Sequence, residues 1–422
     1  SLERAASLVG SDQLAEAERL LGQILKATPE EAGALNLLGA LRAKQGKLEE
    51  AEALFTRAVR ADERLTGPRM NLAYLYLLTR RPEKSAAQLA EVLRLEPANA
   101  EAAHRLAWLL VSQNRPDESI ALVERLKRTQ TPSPALLALL GDAYLKKGDA
   151  ANAEANYLLA LERHDANPEA LLGLAQTAQA RGDARAAALR LERARSLITN
   201  SPDLLYRFAR VALGSDLKRE ATDALRRAVE LRPEEFSYHF ALGSAWLRHP
   251  PDLLEAEQAF RRAHKLRPED AQTQLHLGYV LLKQKRHAEA AEWLERTVQK
   301  GSAAPEAFYY LGLVAQAAGE DARAVELFSK AVQAAPSFAH AHAALGATYL
   351  KLKDYERARR SLETAVRLSP EDPKARYNLA LLYARLKQPE RARAEMQVVE
   401  RLRSEGKSSE DEGEAVAPPS PL

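Results

Sequence analysis

A small residue returns along this chain at a fixed interval: Ala5, Gly39, Ala73, Ala107, Gly141, Ala175, Ala209, Gly243, Gly278, Gly312, Gly346 and Ala380. Each step is 34 residues except Gly243 to Gly278, which is 35. A second ladder runs beside it through Ala17, Ala51, Ser85, Ser119, Ala153, Ala187, Ala221, Ala256, Ala290, Ala324, Ala358 and Ala392, and it carries the same one-residue slip. Two ladders that slip together mark a tandem repeat rather than an accident of composition. A unit this short cannot bury its apolar surface alone, so its copies must stack.

The stretch Glu306–Pro336 shows what each unit contains. Leu311-Gly312 lies within a first amphipathic helix, and Gly319 marks a turn. Ala324, Phe328 and Ala331 fall at i, i+4 and i+7 on a second helix, which Pro336 ends. The reason for the ladders is steric. Where two helices cross, a residue with little or no Cβ lets the axes approach while larger neighbours fill the sides. Gly46, Gly148, Gly182 and Gly319 stand where first helices should end. Pro29, Pro97, Pro233, Pro268, Pro336 and Pro370 follow second helices, and Pro134, Pro168, Pro202, Pro305 and Pro373 open the next unit.

The spacing L-G-x(11)-A-x(3)-F-x(2)-A-x(4)-P resembles the tetratricopeptide repeat, or TPR, a 34-residue helix-turn-helix unit. The resemblance covers residues 1–403, in twelve units near 1–31, 32–65, 66–99, 100–133, 134–167, 168–201, 202–235, 236–270, 271–304, 305–338, 339–372 and 373–403. It implies an all-α fold, a right-handed α-solenoid superhelix. The segment Arg248–Asp252 carries the extra residue, and Pro250-Pro251 cannot continue a helix, so a longer turn is expected there. Residues 404–422 are Ser-, Glu- and Pro-rich with almost nothing to bury, which reads as a disordered acidic tail. Glu405, Glu410, Asp411, Glu412 and Glu414 against Lys407 give it a net charge of −4, leaving +7 on the array out of a total of +3. Screening favours a solvated linker over a tail folded back onto the array.

Composition narrows the function classes. Lys+Arg 61 against Asp+Glu 58 lacks the basic excess of a dedicated nucleic-acid binder. With no cysteine, disulfides and thiolate zinc sites are excluded. Apolar runs such as Leu106–Val111 are far short of the roughly 20 residues that span a bilayer, so no membrane insertion is expected. The chain starts at Ser1, so an exported, processed form stays open beside a cytoplasmic one. No HExxH, G-x-S-x-G, P-loop or G-x-G-x-x-G occurs, and no cofactor is implied. His340 and His342 are two apart, do not share a helix face, and make poor metal partners.

What remains is the face of the first helices. In TPR proteins these helices line a concave surface that holds an extended peptide or a partner helix. With each unit numbered from its first residue, the resemblance places the exposed stripe near positions 2, 5, 9, 12 and 13. Tyr74, Trp108, Tyr206, Phe240, Tyr279, Tyr309 and Tyr377 sit on that stripe, with Arg210 and His276 near it. Tyr, Trp and Arg are the residue types that anchor protein interfaces, so these nine are the candidate binding residues. Tyr76, Tyr144, Trp246, Tyr349 and Tyr383 at position 11, and Phe55, Tyr157, Phe260 and Phe328 at position 24, read as core.

TPR cochaperones grip a terminal carboxylate with a lysine at position 5 and an asparagine at position 9 of one unit. No unit here has that pair; Asn71 and Asn378 sit at position 6 behind units that offer Asn36/Ala40 and Ala343/Ala347. The asparagine ladder of protein O-GlcNAc transferases is likewise missing. The reading is therefore a non-enzymatic scaffold for a protein or peptide partner. The alternative is a regulatory or recruiting arm of an enzyme or assembly complex whose active part lies elsewhere. The array ends lack obvious caps, so self-association through them is also expected.

Overall fold

The computed structural model describes residues 1–248, 250–299 and 305–405. Among these every regular element is an α-helix, and the helices come in antiparallel pairs. Residues 1–199 form one compact unit and residues from 200 onward a second.

The first unit contains α1 (Leu2–Gly10), α2 (Leu14–Ala27), α3 (Ala32–Lys44), α4 (Leu48–Ala61), α5 (Thr66–Leu78), α6 (Pro82–Leu95), α7 (Ala100–Ser112), α8 (Pro116–Lys127), α9 (Pro134–Lys146), α10 (Ala150–Arg163), α11 (Pro168–Ala180) and α12 (Ala184–Leu197). The second contains α13 (Pro202–Gly214), α14 (Lys218–Leu231), α15 (Phe236–Trp246), α16 (Leu253–Leu266), α17 (Ala271–Lys283), α18 (His287–Gln299), α19 (Pro305–Ala317), α20 (Asp321–Ala334), α21 (Ala339–Lys351), α22 (Tyr355–Leu368), α23 (Pro373–Arg385) and α24 (Pro389–Ser404). Within each unit an odd helix packs on the even helix that follows it, and that even helix packs on the next odd one. Odd helices also touch one another directly, as α7 with α9 and α21 with α23.

The glycine ladder does what its spacing predicts. A Cβ on Gly39 would come within 2.7 Å of the Phe55 ring, and one on Gly141 within 2.5 Å of Tyr157. Gly243 faces Phe260 in the same way, and Gly312 faces Phe328. In each case the glycine leaves room for the large position-24 residue of its own hairpin, and that residue is buried. Where the ladder carries serine on the second helix, the hydroxyl finds a partner across the crossing. Ser85 Oγ donates to the Ala73 carbonyl at 2.9 Å, and Ser119 Oγ to that of Ala107 at 3.2 Å.

Turn chemistry is less uniform than the glycines suggest. Gly46, Gly148, Gly182 and Gly319 adopt left-handed φ of +76°, +85°, +77° and +77°. The same turn position elsewhere holds Asp12, Arg80, Asn114, Asp216, Lys285, Lys353 and Lys387, all at φ near +60°. These side chains are tolerated because the turn's backbone bonds hold them there. The Lys353 amide, for example, donates to the Leu350 carbonyl and that of Asp354 to Tyr349.

The long turn lies where the extra residue was read. The helix α15 stops at Trp246 and α16 begins at Leu253, with Asp252 capping it by accepting from the Glu255 amide at 3.0 Å. Lys218, at the start of α14, crosses to this turn. Its Nζ donates to the carbonyls of Arg248 (2.8 Å), Trp246 (3.4 Å) and Pro250, and lies over the Trp246 ring. Burial there lowers the Lys218 pKa. His249 and residues 406–422, most of the expected tail, lie outside the described residues; α24 itself runs through Ser404.

Candidate partner-binding face

The nine candidate residues divide sharply by environment. On α5 and α7 the face is open. The Trp108 side chain is 49% exposed. Beside it, half-buried Tyr74 donates its hydroxyl to Glu101 Oε1 at 2.5 Å. Arg105, one helical turn after Glu101, donates to the same carboxylate from Nη2 at 3.0 Å and lays its guanidinium 4.3 Å from the Tyr74 ring centre. Ring, carboxylate and guanidinium thus fix one another's rotamers beside an exposed indole. The bond from Tyr74 holds the Glu101 carboxyl below its ordinary pKa, with Arg105 adding to the effect; burial pushes the Tyr74 phenol up. Neighbouring His104 is driven toward its neutral form by burial first, and then by the Arg105 charge. Leu78, at position 13, is 69% exposed near the far end of α5.

On α13 the candidates are intermediate. Tyr206 packs against Tyr238 with ring centres 5.4 Å apart, and Arg210 is exposed. Asp203 is committed elsewhere, accepting from Tyr238 Oη at 2.6 Å and from Arg232.

Four candidates are corrected by their surroundings. Phe240, His276, Tyr279 and Tyr309 are buried members, or ring contacts, of the core of α15–α23 rather than open face residues. Phe240 meets Phe260 edge-on at 5.5 Å and His276 at 5.0 Å. His276 is 1% exposed, its Nδ1 bonded to the Gln272 carbonyl at 2.7 Å, and burial lowers its pKa to about 4. Tyr279 leans on Tyr310 at 5.5 Å, while Tyr309 contacts Tyr310, Phe328 and Phe338. Aromatic side chains of the same hairpin, of adjoining turns and of the neighbouring first helices enclose these rings. Burial in turn pushes the Tyr309 phenol pKa up.

The ninth candidate, Tyr377 on α23, is 40% exposed, and so is Leu381 one turn later. Leu381 was not singled out by sequence, nor were exposed Lys374 and Arg385 on the same helix. Their shared face could have been found from the spacing 374, 377, 381, 385 alone, because these fall on one side of a helix. The position-11 and position-24 residues read as core are buried or half-buried, with Tyr157, Phe260 and Phe328 fully enclosed. Among the described residues no helix is long and apolar enough to cross a membrane, and no group of three His, Cys, Asp or Glu could hold a metal.

Three tetratricopeptide repeat profiles match the sequence. One covers residues 2–64, 206–265, 252–305 and 343–406, a second 76–143 and 315–366, and a third 134–165. The chain belongs to the tetratricopeptide repeat family, whose repeats are generally non-catalytic modules for protein interaction. Among curated proteins, no sequence match was found. Solved structures similar to it include Naa15/Naa10 bound to HypK-THB, at 19% identity and TM-score 0.37, the match covering 94% of this chain and 67% of that one. The Cut9-Hcn1 hetero-tetramer of APC/C is similar at 16% identity and TM-score 0.47, over 94% of this chain and 92% of that one.

Proposed function

We propose that this protein is a non-enzymatic scaffold whose first-helix faces hold a peptide or partner-protein segment. The observation that carries this reading is the α5–α7 face. There Trp108 stands half out of the surface next to a Tyr74–Glu101–Arg105 set already held in one arrangement. An exposed indole offers a large apolar contact at little entropic cost, and neighbours fixed before binding lose little freedom on binding. Tyr206 and Arg210 form a second, smaller contact area of the same kind. Phe240, His276, Tyr279 and Tyr309 act in this reading as the rigid support beneath a face rather than as anchors.

The test is affinity capture with the whole chain as bait, wild type beside a Tyr74→Ala/Trp108→Ala variant. A partner retained by the wild type should be lost from the variant while the far-UV circular dichroism of the two proteins coincides. Equal capture by both would remove the α5–α7 face from the proposal. Retention of RNA that weakens steeply with salt would instead place the protein among nucleic-acid binders. Sedimentation over a range of concentrations tests the expected self-association, which a concentration-independent monomer would overturn.

A further inference from the structure

We infer that the exposed stripe of α23 is a docking surface for an acidic peptide segment with apolar side chains between its carboxylates. This rests on the reading of the first-helix faces as partner-binding surfaces and names what one of them takes.

Lys374, Tyr377, Leu381 and Arg385 follow one another at +3, +4 and +4, which puts all four within about 80° of the helix circumference at roughly 100° per residue. All four are exposed. The two middle residues are among the few large apolar side chains that the described structure leaves open. The neighbouring helix α21, which packs against α23, carries His340, Ala343, Ala347 and Lys351 at the matching positions. Opposite Tyr377 and Leu381 stand the small side chains of Ala343 and Ala347, and both larger residues are 40% exposed.

The charges at the two ends are uncommitted. Nearby cations have partners: Arg376 Nη1 meets Glu395 at 2.6 Å, and Lys351 Nζ meets Asp321 at 2.7 Å. The carboxylate closest in sequence, Asp372, is occupied as the helix cap and accepts from the Lys374 and Ala375 amides. Among the described residues neither Lys374 nor Arg385 forms an ion pair, and no acidic residue lies between them on α23.

A partner that fits such a strip must be apolar in the middle and anionic at both ends. Eleven residues of helix separate the two cations by about 16 Å, at 1.5 Å per residue. An extended peptide covers that distance in about five residues at roughly 3.3 Å each. The match is therefore a segment with carboxylates about five positions apart and leucine-like side chains between. A nucleic-acid strand fits poorly, since its closely spaced phosphates call for a continuous basic track rather than two separated cations.

The probe is the fluorescein-labelled peptide Glu-Asp-Leu-Ala-Leu-Ala-Glu-Asp, amidated, titrated with the full chain and followed by anisotropy. Saturable binding that weakens as salt is raised is expected. Charge reversal in Lys374→Glu/Arg385→Glu, and separately truncation in Tyr377→Ala/Leu381→Ala, should each weaken it roughly tenfold or more. A peptide with lysine in place of every acid should not bind. Absence of saturable binding, equal binding of the lysine peptide, or variants that bind like the wild type with unchanged circular dichroism would each overturn the inference. So would binding that emerges only when Glu410, Asp411, Glu412 and Glu414 are changed to their amides, because the occupant would then be this chain's own acidic segment. If the peptide fails while Trp108-dependent partner capture persists, this inference falls and the scaffold reading stands.

Discussion

The first-helix faces of α5–α7 and of α15–α19 both carry aromatic residues, at position 9 in Tyr74, Trp108 and Tyr279 and at position 5 in Phe240 and Tyr309, and they end in different states. Trp108 is exposed and Tyr74 half-buried; Phe240, Tyr279 and Tyr309 are buried. Both the repeat position and the neighbour differ. Behind α5 and α7 the position-24 residues are Leu89 and Val123, compact aliphatic side chains buried in the core. Behind α15 and α19 they are Phe260 and Phe328, whose rings lie 5.5 Å from Phe240 and 5.9 Å from Tyr309, whereas behind α17 it is Leu294 and Tyr279 is buried against Tyr310 of α19 instead. Aromatic pairs in these geometries add to the stabilisation from area burial alone. An aromatic at position 5 thus meets the ring behind it, whereas one at position 9 is buried, as Tyr279 is, where a ring of the next first helix covers it.

The largest effect should come from removing one of those backing rings. Phe260→Ala deletes a fully buried side chain in contact with Phe240 and His276, at an expected cost of about 3–5 kcal/mol. Trp108→Ala, on the open face, should cost no more than about 0.5 kcal/mol. Stability in a repeat array is distributed among units, so amide exchange resolved by helix is the better measurement. Loss of protection should concentrate in α15–α17 for the first variant and be negligible for the second. If Trp108→Ala loosened α5–α9 to a similar degree, the open face would be core after all.

Acid should separate the same two regions. His276 is held neutral inside the α15–α19 core, its pKa lowered to about 4 by burial against a model-peptide value of 6.5. Between these values the unfolded chain binds a proton that the folded chain does not. Its contribution is thus fully present above pH 6.5 and is lost as pH falls toward 4, by about 3 kcal/mol at the bottom of that window. The hydrogen bond to the Gln272 carbonyl and, less strongly, the Asp270 charge oppose the shift and are outweighed by burial. His104 on the α7 face is shifted in the same direction by burial and Arg105, but it is partly open to water. Unfolding midpoints followed from pH 7 to pH 4.5 should fall for α15–α17 more than for α5–α9. A His276→Phe variant should flatten the first response; an unchanged slope would mean that His276 is not its source.

Next in size is the crossing itself. Gly312→Leu would drive a branched side chain into the Phe328 ring, at a cost on the order of 1–3 kcal/mol, whereas Ala at the equivalent Ala107 already coexists with the smaller Val123. A Gly312→Leu/Phe328→Ala double variant should recover part of the loss. Additive losses would show that the two residues do not share the space.

These contrasts also mark how far the sequence could be read. The crossings were legible because Gly39, Gly141, Gly243 and Gly312 recur in register with the bulky residue each accommodates. The long turn was legible because two prolines fall where one residue is added. The Lys218 clip was not, since its amine and the carbonyls it binds are about 30 residues apart and either alone resembles ordinary surface. Burial of Phe240, His276, Tyr279 and Tyr309 was hidden for a related reason. It depends on which rings meet, within one hairpin for Phe240 with Phe260 and Tyr309 with Phe328 and between hairpins for His276 and Tyr279, which a position within the repeat does not encode. The stripe of α23 was visible in its spacing, but Lys374 and Arg385 each resemble any solvated cation until the exposure of Tyr377 and Leu381 joins them.

The smallest expected effect compares adjacent turns. Gly319 and Lys353 occupy the same turn position in neighbouring hairpins, both left-handed, at φ +77° and +62°. For Lys353 the Cβ makes this conformation unfavourable by roughly 1 kcal/mol. Glycine would remove that strain but would also free the unfolded chain, a compensation of about 0.4–1 kcal/mol. Lys353→Gly should therefore stabilise α21–α22 by no more than about 0.5 kcal/mol, with Gly319→Lys shifting α19–α20 by a similar amount in the opposite direction. Paired denaturation midpoints of the two variants test the signs. If both variants were destabilised, the Lys353 side chain would be contributing a contact that outweighs its backbone strain, and the turn residues that replace glycine would be there for what they touch.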